Sequence, residues 1–507
     1  MELRNLTVAI ATSEEARERD RLATESGIPS RVLMERAGVG AAQRIIRHFP
    51  EARAGGVEIH VGPGNNGGDG WVAASELARS GVPVRVVEAS SPKTPDAINA
   101  KSCAMRESFP AIQGDAGVVV DALLGTGSTG LPRNEIAGGI RALQVALERE
   151  ARVVALDVPS GMDATTGALN GSVRAELTLA FGTLKRAHLV SRDMCGIIEV
   201  LDIGLGEFGN PSPTDIALAS ADWVSSHIPR IPGNAHKGTR KHLAIIAGDS
   251  GMAGAAILAG RGALRSGIGI LHLIVAKENR DAVHSAIPAA LVSTHDELIR
   301  DPSQVLSTAD AVVAGPGLSP HMAAEILKSL GDAKCPIVLD AGALMALKNP
   351  DDELRGLAGT REIVITPHPA EMAHLLELPT DEILNRRFEV GADFARRTGV
   401  TVLLKGTPTV VSHSGRGRIA SATGTAALAT GGSGDILSGM IGTLLAQSGD
   451  GFDSAVCAAW VHGRAAELCG NVRGVTLDDI LYAMPAAWNI KSSTYNSAVL
   501  ASLPSVR

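Results

Sequence analysis

Short apolar runs recur along the chain, and each ends at a cluster of glycine, proline, asparagine or aspartate. Between them, apolar residues follow helical spacing, as at Val32, Leu33, Ala37, Ala41 and Ile45. Short apolar runs bounded by turn residues are typical of buried strands, and the intervening pattern is typical of helices that cover a sheet. The alternation predicts layered α/β folds with largely parallel sheets.

The apolar runs fall into two sets. In the first half the pattern predicts strands at 57–61, 84–87, 117–120 and 153–156. In the second half it predicts strands at 243–247, 271–275, 311–314, 337–339, 363–365 and 402–404. A stretch rich in glycine and proline at 204–213 separates the two sets, as linkers often do. We therefore predict two layered α/β domains: a Rossmann-like one at 1–218 and a second at 219–507.

Length and composition agree with this division. A chain of 507 residues exceeds what one hydrophobic core normally holds. Its net charge of −7 argues against a nucleic-acid binder, and its five scattered cysteines indicate reduced thiols. The N-terminus lacks the order of a signal peptide, and no run of about 18 apolar residues predicts a membrane span. A cytoplasmic protein without a membrane partner is expected.

The second half contains a glycine-rich turn, Ala-Thr-Gly-Gly-Ser-Gly-Asp at 429–435, which leads directly into an apolar helical pattern from Ile436. Such a turn presents free backbone amides at a helix N-terminus, which bind anions. Asp435 lies beside this anion site, where it can accept the proton of a hydroxyl that attacks a phosphate. The alternative is that Asp435 only caps the helix.

The loop at 62–70 fits the pattern G-x-G-x-x-G, and Glu88 follows near the position of a ribose-binding acid. A nicotinamide dehydrogenase is thus one alternative, although the same spacing recurs at 125–130 and is weak in a glycine-rich chain. A plain Asx-rich turn is another. The loop also presents polar oxygens on Asn65, Asn66 and Asp69.

Polar groups follow three successive strands of the first half. In a parallel sheet the loops after these strands gather at one edge, where ligands bind. The oxygens of Asn66, Asp121 and Ser160 can then meet around a hard cation, and Asp157 faces the same cleft.

Two strand ends of the second half carry further candidates. His368 stands between two prolines, and Lys405 ends an apolar strand before Gly406, where an ammonium can reach a phosphate. Both are also compatible with an ordinary loop histidine and an ordinary strand-end lysine.

The loops G-P-G-N-N-G-G-D-G, D-A-L-L-G-T-G and D-V-P-S-G-M-D-A-T-T-G resemble those of the NAD(P)H-hydrate epimerases over about residues 10–210. The resemblance implies that Asp157 is the acid/base and that Asn66, Asp121 and Ser160 hold K⁺. It leaves Lys185 without an assigned role. It implies substrate contacts at Asn65, Asn66, Gly67, Gly68, Asp69, Gly125, Thr126, Gly127, Ser128, Thr129, Gly130, Leu131 and Asp157.

The second half resembles the ribokinase-like fold. Within it, H-K-G, G-P-G-L, T-P-H-P-A-E-M, L-K-G-T-P-T and A-T-G-G-S-G-D-I-L-S-G resemble the ADP-dependent NAD(P)H-hydrate dehydratases over about 225–490, with departures at 239–242 and 425–428. The resemblance implies hydrate binding by Ala255, Gly317, His368 and Asp435. It implies ADP binding by Lys405, Gly406, Thr407, Pro408, Thr409 and Gly434.

Together the two resemblances imply a bifunctional enzyme that repairs hydrated NADH and NADPH. One half would interconvert the R and S hydrates. The other would dehydrate the S epimer with ADP, giving AMP and phosphate, with Mg²⁺ at its site and K⁺ at the epimerase site. A homo-oligomer is expected. Two alternatives remain: a small-molecule kinase with the first half as a non-catalytic nucleotide-binding module, or a first half that is only a scaffold.

Overall fold

The chain folds into two compact units, one formed by residues up to Ala217 with the C-terminal segment and one that begins at Leu218. The computed structural model describes residues 8–331, 333–359, 361–490 and 498–506. Residues 1–7, on which the expectation of no signal peptide rests, lie outside the described residues. Within the described ranges, we find no helix with the length and apolar character needed to cross a membrane.

Of the strands in the described chain, ten lie at the predicted apolar runs and nine others were not predicted. They are β1 Ala9–Ala11, β2 Val57–Val61, β3 Val84–Glu88, β4 Val118–Ala122, β5 Arg152–Leu156, β6 Leu177–Phe181, β7 Leu184–Lys185, β8 Ile197–Leu201, β9 Ile216–Leu218, β10 His242–Ile246, β11 Ile270–Val275, β12 Leu291–Thr294, β13 Ala311–Ala314, β14 Ile337–Leu339, β15 Ile363–Ile365, β16 Thr401–Leu404, β17 Thr409–His413, β18 Gly417–Ser421 and β19 Val499–Leu503.

Helices connect most of these strands. They are α1 Ser13–Glu25, α2 Ser30–His48, α3 Ala52–Gly55, α4 Asn65–Arg79, α5 Pro95–Ala104, α6 Asn134–Glu148, α7 Arg186–Val190, α8 Ala221–His227, α9 Ala253–Arg265, α10 Arg280–Ala286, α11 His295–Arg300, α12 Pro302–Leu306, α13 Pro320–Ser329, α14 Gly342–Met345, α15 Pro350–Ala358, α16 Pro369–Leu376, α17 Thr380–Asn385, α18 Val390–Thr398, α19 Ser433–Ser448, α20 Gly451–Leu468 and α21 Leu477–Ala487.

The first unit is built on a sheet with the strand order β19-β8-β6-β5-β4-β2-β3, in which only the β19–β8 pairing is antiparallel. Successive residues of a strand point to opposite faces, so Val118 and Val120 join the core under α2 and α4 while Val119 packs toward α6. Both faces are covered, which explains the continuous apolar runs. The chain reverses its winding direction between β2 and β4, and ligands bind at such switch points.

The second unit has the strand order β12-β11-β10-β13-β14-β15-β16-β17-β18, parallel as far as β16. Helix α19 packs on α9 so closely that a Cβ on Gly439 would lie 1.9 Å from the carbonyl oxygen of Ala259. A Cβ on Gly262 would lie 2.4 Å from the carbonyl oxygen of Ile436. The small residues of the two helices therefore hold the start of α19 at a fixed place above the sheet. The predicted fold class, two layered α/β domains, is confirmed.

Helix α4 begins at Asn65, so the prediction of a loop over residues 62–70 was wrong from Asn65 onward. The glycines of this stretch disfavour a helix, but the packing requires them. A Cβ on Gly67 would lie 2.0 Å from the carbonyl oxygen of Gly62, and one on Gly68 would lie 2.6 Å from the Met34 side chain. Tertiary packing thus overrides the local preference and turns the polar loop into the first turns of a helix.

The C-terminal strand β19 corrects the predicted extent of the second domain, 219–507. It pairs with β8 of the first unit, with Val499 opposite Leu201 and Leu503 opposite Ile198. Val499 and Leu503 are buried at 6% and 9% exposure. The five residues of β19 contain no local sequence signal that shows which sheet the strand joins. The first unit is therefore discontinuous in sequence.

We expect a chain that ends at residue 490 to lose stability in its first unit. Burial of a valine and a leucine side chain contributes about 3–6 kcal/mol at most, a large share of the roughly 5–15 kcal/mol that stabilises a domain. The epimerase activity proposed below should then inactivate at lower temperature than the dehydratase activity, as measured by residual rates after heating.

Single substitutions in β19 provide a matched test of this expectation. Leu503→Ala should lower the inactivation temperature of the first unit, whereas Leu500→Ala, at a position that is 38% exposed, should leave it unchanged. Equal effects of the two substitutions, or an unaltered first unit in the truncated chain, would contradict the assignment of β19 to this sheet.

Candidate active sites

A cavity of about 670 Å³ lies at the switch point of the first unit. The N-terminus of α4, the ends of β4 and β5, and side chains of α1 and α2 form its wall. Most of the residues predicted to bind substrate line it: Asn65, Asn66, Asp69, Gly125, Thr126, Gly127, Ser128, Thr129 and Asp157.

The other four predicted substrate contacts lie elsewhere. Gly67 and Gly68 face the interior of the fold, where they permit the close packing of α4. Gly130 and Leu131 lie beyond the residues that line the cavity, and the Leu131 side chain is 73% exposed. Direct contact of these four with substrate stays a prediction.

Asp157 forms a buried ion pair with Lys185, whose Nζ contacts Asp157 Oδ1. The ammonium also donates to the carbonyl oxygens of Phe181 at 3.0 Å and Thr183 at 3.2 Å. Asp157 itself has a left-handed backbone with φ +62°, which is uncommon outside glycine and clusters at functional sites. The sequence left Lys185 without a role, and the structure places it at the centre of the site.

Two further carboxyl groups share the cavity with this pair. Asp20 on α1 remains exposed to solvent, yet the surrounding protein displaces enough water to raise the pKa of its carboxyl to about 6; the charge of Lys185 opposes this shift and that of Asp157 supports it. Burial, with the nearby charges of Asp157 and Asp20, raises the pKa of Asp69 well above its ordinary value. The cavity therefore combines two carboxyl groups with raised pKa values, Asp69 and Asp20, and one ion-paired carboxylate, Asp157.

Asn66, Asp121 and Ser160 meet beside this cavity, as predicted. Ser160 Oγ donates to Asp121 Oδ1 at 2.5 Å, and the Ser160 amide donates to Asp121 Oδ2 at 2.7 Å. Asn66 Nδ2 donates to the carbonyl of Leu124 at 2.9 Å, whereas its buried Oδ1 has no hydrogen-bond partner among the described residues. Burial raises the pKa of Asp121. A buried carboxylate, a hydroxyl and an unpartnered amide oxygen match the donors that a hard monovalent cation requires.

Asp435 lies in the first turn of α19, directly after the glycine-rich turn. Gly432 caps this helix with φ +95°, a conformation that favours glycine. Burial of the Asp435 carboxyl, together with the charge of Asp340, raises its pKa to about 7 against the opposing effect of Lys405. A carboxylate with this pKa is suited to general base catalysis near neutral pH.

Lys405 reaches the same helix start from the end of β16. Its Nζ pairs with Asp340 Oδ1 at 2.6 Å, and Asp340 Oδ2 accepts from Ser438 Oγ at 2.5 Å. A Cβ on Gly434 would lie 3.1 Å from Lys405 Nζ, so the two predicted nucleotide-binding residues are neighbours. Asp340 is 1% exposed and ties β14, β16 and α19 together.

The remaining predicted residues of the second unit lie at ends of its strands. Gly317 follows β13 and packs against Ala255 of α9, where a Cβ on Gly317 would lie 2.6 Å from the Ala255 Cβ. His368 caps α16 through backbone amides of Ala370 and Glu371 and keeps a half-exposed side chain. Gly406, Thr407 and Pro408 lie in the turn between β16 and β17, and Thr409 is the first residue of β17.

Sequence reasoning missed Asp20, Asp340 and Glu371. Glu371 is buried, and burial together with the charge of Asp340 raises the pKa of its carboxyl. Asp340 had a usable signal, because it ends an apolar strand before a small-residue turn as Asp121 and Asp157 do. Asp20 had none, since it stands among other charged residues in a helix that appears purely solvent-facing.

Each of the two units contains a match to a protein-family model. Residues 30–187 match the family model described as the YjeF-related protein N-terminus, and residues 243–485 match the one described as NAD(P)H-hydrate dehydratase. The bifunctional NAD(P)H-hydrate repair enzyme Nnr of Escherichia coli is 34% identical over 88% of this chain and 87% of its own length. Its counterpart in Coxiella burnetii is 31% identical over 92% of this chain and 97% of its own. The chain therefore belongs to the family of bifunctional NAD(P)H-hydrate repair enzymes.

A solved structure adds one further likeness. An ADP/ATP-dependent NAD(P)H-hydrate dehydratase from Bacillus subtilis, co-crystallised with ATP and Mg²⁺, is 28% identical and covers 54% of this chain and 97% of its own, with a TM-score of 0.48.

The family models and the curated relatives confirm the prediction of a bifunctional enzyme of this family. They do not support the alternatives of a dehydrogenase or of a kinase with a non-catalytic module.

Proposed function

We propose that this chain returns hydrated NADH and NADPH to the reduced coenzymes by two reactions. The first unit interconverts the R and S hydrates, and the second unit dehydrates the S epimer with ADP, giving AMP and phosphate. The observation that carries this proposal is that each unit has its own carboxylate with a lysine nearby, at a site where ligands can bind. Asp157 pairs with Lys185 directly, while Asp435 lies beside the Lys405–Asp340 pair.

In the first unit, Asp157 is proposed as the acid/base at the carbon that epimerises. Asn65, Asn66, Asp69 and the loop at 125–129 are proposed to orient the hydrate within the cavity. Lys185 holds the Asp157 carboxylate in place, because its ammonium contacts that carboxylate directly in a buried ion pair.

In the second unit, Asp435 is proposed to accept the proton of the hydrate hydroxyl as that oxygen attacks a phosphate of ADP. Hydroxide is a poor leaving group, whereas phosphate is a good one that the lone pair of the ring nitrogen can expel. The proton passes to Asp435 while the phosphoryl group passes from ADP to the hydrate oxygen, and AMP remains. The ring nitrogen lone pair then expels phosphate, and loss of a proton from the neighbouring ring carbon restores the double bond of the reduced coenzyme. Backbone amides at the start of α19 can stabilise the transferring group.

Mg²⁺ is proposed at this second site as part of the nucleotide complex. No group of three or more acidic, histidine or cysteine side chains suited to a metal ion occurs in the described part of the chain. Mg²⁺ usually keeps several waters and binds through substrate phosphates and one or two carboxylates, which this site can provide. When bound it would neutralise charge on the phosphates.

K⁺ is proposed to bind Asn66, Asp121 and Ser160 and to fix the N-terminus of α4. We expect epimerisation to slow when K⁺ is replaced by a bulky organic cation at constant ionic strength, so that screening is unchanged. The direct measurement is the rate of R-to-S conversion. Ser160→Ala should weaken the dependence on K⁺, and a rate indifferent to the cation in the unaltered chain would exclude this role.

The proposal is tested by incubating the purified chain with a mixture of both hydrate epimers, ADP and Mg²⁺ and following the return of reduced-nicotinamide absorbance. Complete recovery of both epimers is expected, whereas dehydration alone would leave the R epimer. A stable phosphorylated product would instead indicate a kinase, and parallel reactions with ATP would establish the nucleotide preference.

A homo-oligomer and a cytoplasmic location stay predictions.

A further inference from the structure

His188 occupies a position between the two residues of the Asp157–Lys185 pair. It lies on α7, three residues after Lys185, and is 0% exposed. The Lys185 backbone N–H donates to His188 Nδ1 at 3.1 Å, and His188 Nε2 lies 2.8 Å from the backbone carbonyl oxygen of Asp157. One imidazole thus bonds to the main chain of both partners of the ion pair.

These two contacts define the protonation state of the ring. Because Nδ1 accepts from an N–H group, the proton of a neutral imidazole must lie on Nε2, which then donates to the Asp157 carbonyl. A second proton on Nδ1 would oppose the Lys185 N–H. Burial and the nearby Lys185 ammonium lower the pKa of His188 to about 4, in agreement with a ring that stays neutral.

The hydrogen bond between His188 and the Asp157 carbonyl is made at a residue whose backbone conformation is unfavourable. A left-handed conformation is unfavourable for a residue other than glycine, so it persists only where surrounding bonds hold it. The Asp157 amide donates to the carbonyl of Leu179 at 2.8 Å, and Oδ1 accepts from the Phe181 amide at 3.3 Å. These bonds hold the amide and the carboxylate, and His188 holds the remaining polar group of the residue, its carbonyl.

We propose that His188 is a positioning residue for epimerisation, which directs the Asp157 carboxylate into the cavity and holds Lys185 against it. The proposal rests on the function proposed above for Asp157. His188 does not line the cavity and takes no part in proton transfer to the hydrate. Its effect is geometric, and a misplacement of about 1 Å at a reacting group can cost 10²-fold in rate.

Two substitutions separate the two contacts. Asparagine can reproduce the Nδ1 acceptor but is too short to reach the Asp157 carbonyl, whereas glutamine can place an amide donor where Nε2 lies. We expect His188→Asn to lower kcat for epimerisation by roughly 10–100-fold with KM within a few-fold, and His188→Gln to restore most of kcat. Dehydration by the second unit should stay unchanged in both. His48→Asn, in the same unit but paired with Glu199, provides the matched control.

If the Asn and Gln variants lose kcat equally, and only in proportion to their loss of folded protein, the proposal is overturned. An Asn variant as active as the unaltered chain would also overturn it.

A spectroscopic measurement tests the geometry of His188 without an activity assay. In ¹⁵N NMR spectra of the intact chain, His188 should show a protonated Nε2 and an unprotonated Nδ1 at neutral pH and remain so to about pH 5. A charged ring or the opposite tautomer in that range would refute the arrangement even if the chain epimerises. Failure of the unaltered chain to epimerise, with the tautomer as expected, would instead refute the proposed function of Asp157.

Discussion

Asp435→Asn is expected to lower nucleotide-dependent dehydration by about 10²–10⁴-fold, because loss of a general base typically has that effect. Asparagine keeps the shape of aspartate but cannot accept a proton at neutral pH. Epimerisation should remain near its original rate, since the proposed Asp157 site lies in the other unit. The measurement is the recovery of reduced-nicotinamide absorbance from the S epimer, with R-to-S conversion followed in the same sample.

The pH dependence of dehydration gives an independent test of Asp435. A base must be ionised to act, so kcat/KM should rise as pH increases through about 7, the pKa to which burial and Asp340 raise this carboxyl. Because its folded-state pKa lies above the unfolded value, ionisation of Asp435 opposes folding above that pH. The Asn variant should therefore unfold at the same or a higher temperature than the unaltered chain at pH 8. An Asn variant that dehydrates within a few-fold of the unaltered chain would exclude Asp435 as the base.

Asp157→Asn is expected to have the opposite effect, a loss of epimerisation of similar size with dehydration of the S epimer intact. Asparagine tolerates the left-handed backbone that this position requires. The substitution nevertheless leaves the Lys185 ammonium buried at 3% exposure without its partner, which can cost about 3–5 kcal/mol. The first unit of the single variant should therefore also unfold at lower temperature.

A second substitution separates chemistry from folding in this experiment. The double variant Asp157→Asn, Lys185→Met removes the unpaired charge and should regain much of the lost stability while it remains inactive in epimerisation. Mixing either Asp157 variant with Asp435→Asn should restore full repair, because the hydrate can diffuse between the two proteins. If the double variant recovered epimerisation along with stability, Asp157 would be a structural residue only.

The sequence predicted strands well where apolar runs have clear limits. Ile337–Leu339 and Ile363–Ile365 were located without error, because polar or turn-forming residues bound both runs: Pro336 and Asp340 the first, Glu362 and Thr366 the second. The polar groups at the ends of β2, β4 and β5 were also brought together as expected, since parallel strands present their carboxyl ends at one edge. Pattern and topology together were thus sufficient to place Asn66, Asp121, Ser160 and Asp157 at one edge of the sheet.

Sequence reasoning failed where the decisive contact is distant along the chain. Lys185 lies 28 residues from Asp157, and only the fold brings its ammonium to that carboxylate. The start of α4 depends on how closely Gly67 and Gly68 approach other segments, which no local propensity encodes. Asp20 acquires its pKa near 6 from the cavity around it and not from its neighbours in α1.

The pairing of β19 with β8 has a consequence for synthesis of the protein. A ribosome completes the first 218 residues and must then add about 290 more before the last strand of the first sheet exists. At about 5–20 residues per second this takes about 15–60 s. During that interval β8 is an open edge strand in a nearly complete sheet, and open edges recruit other strands. The first sheet of the nascent chain therefore remains incomplete at β8 until β19 has been synthesised.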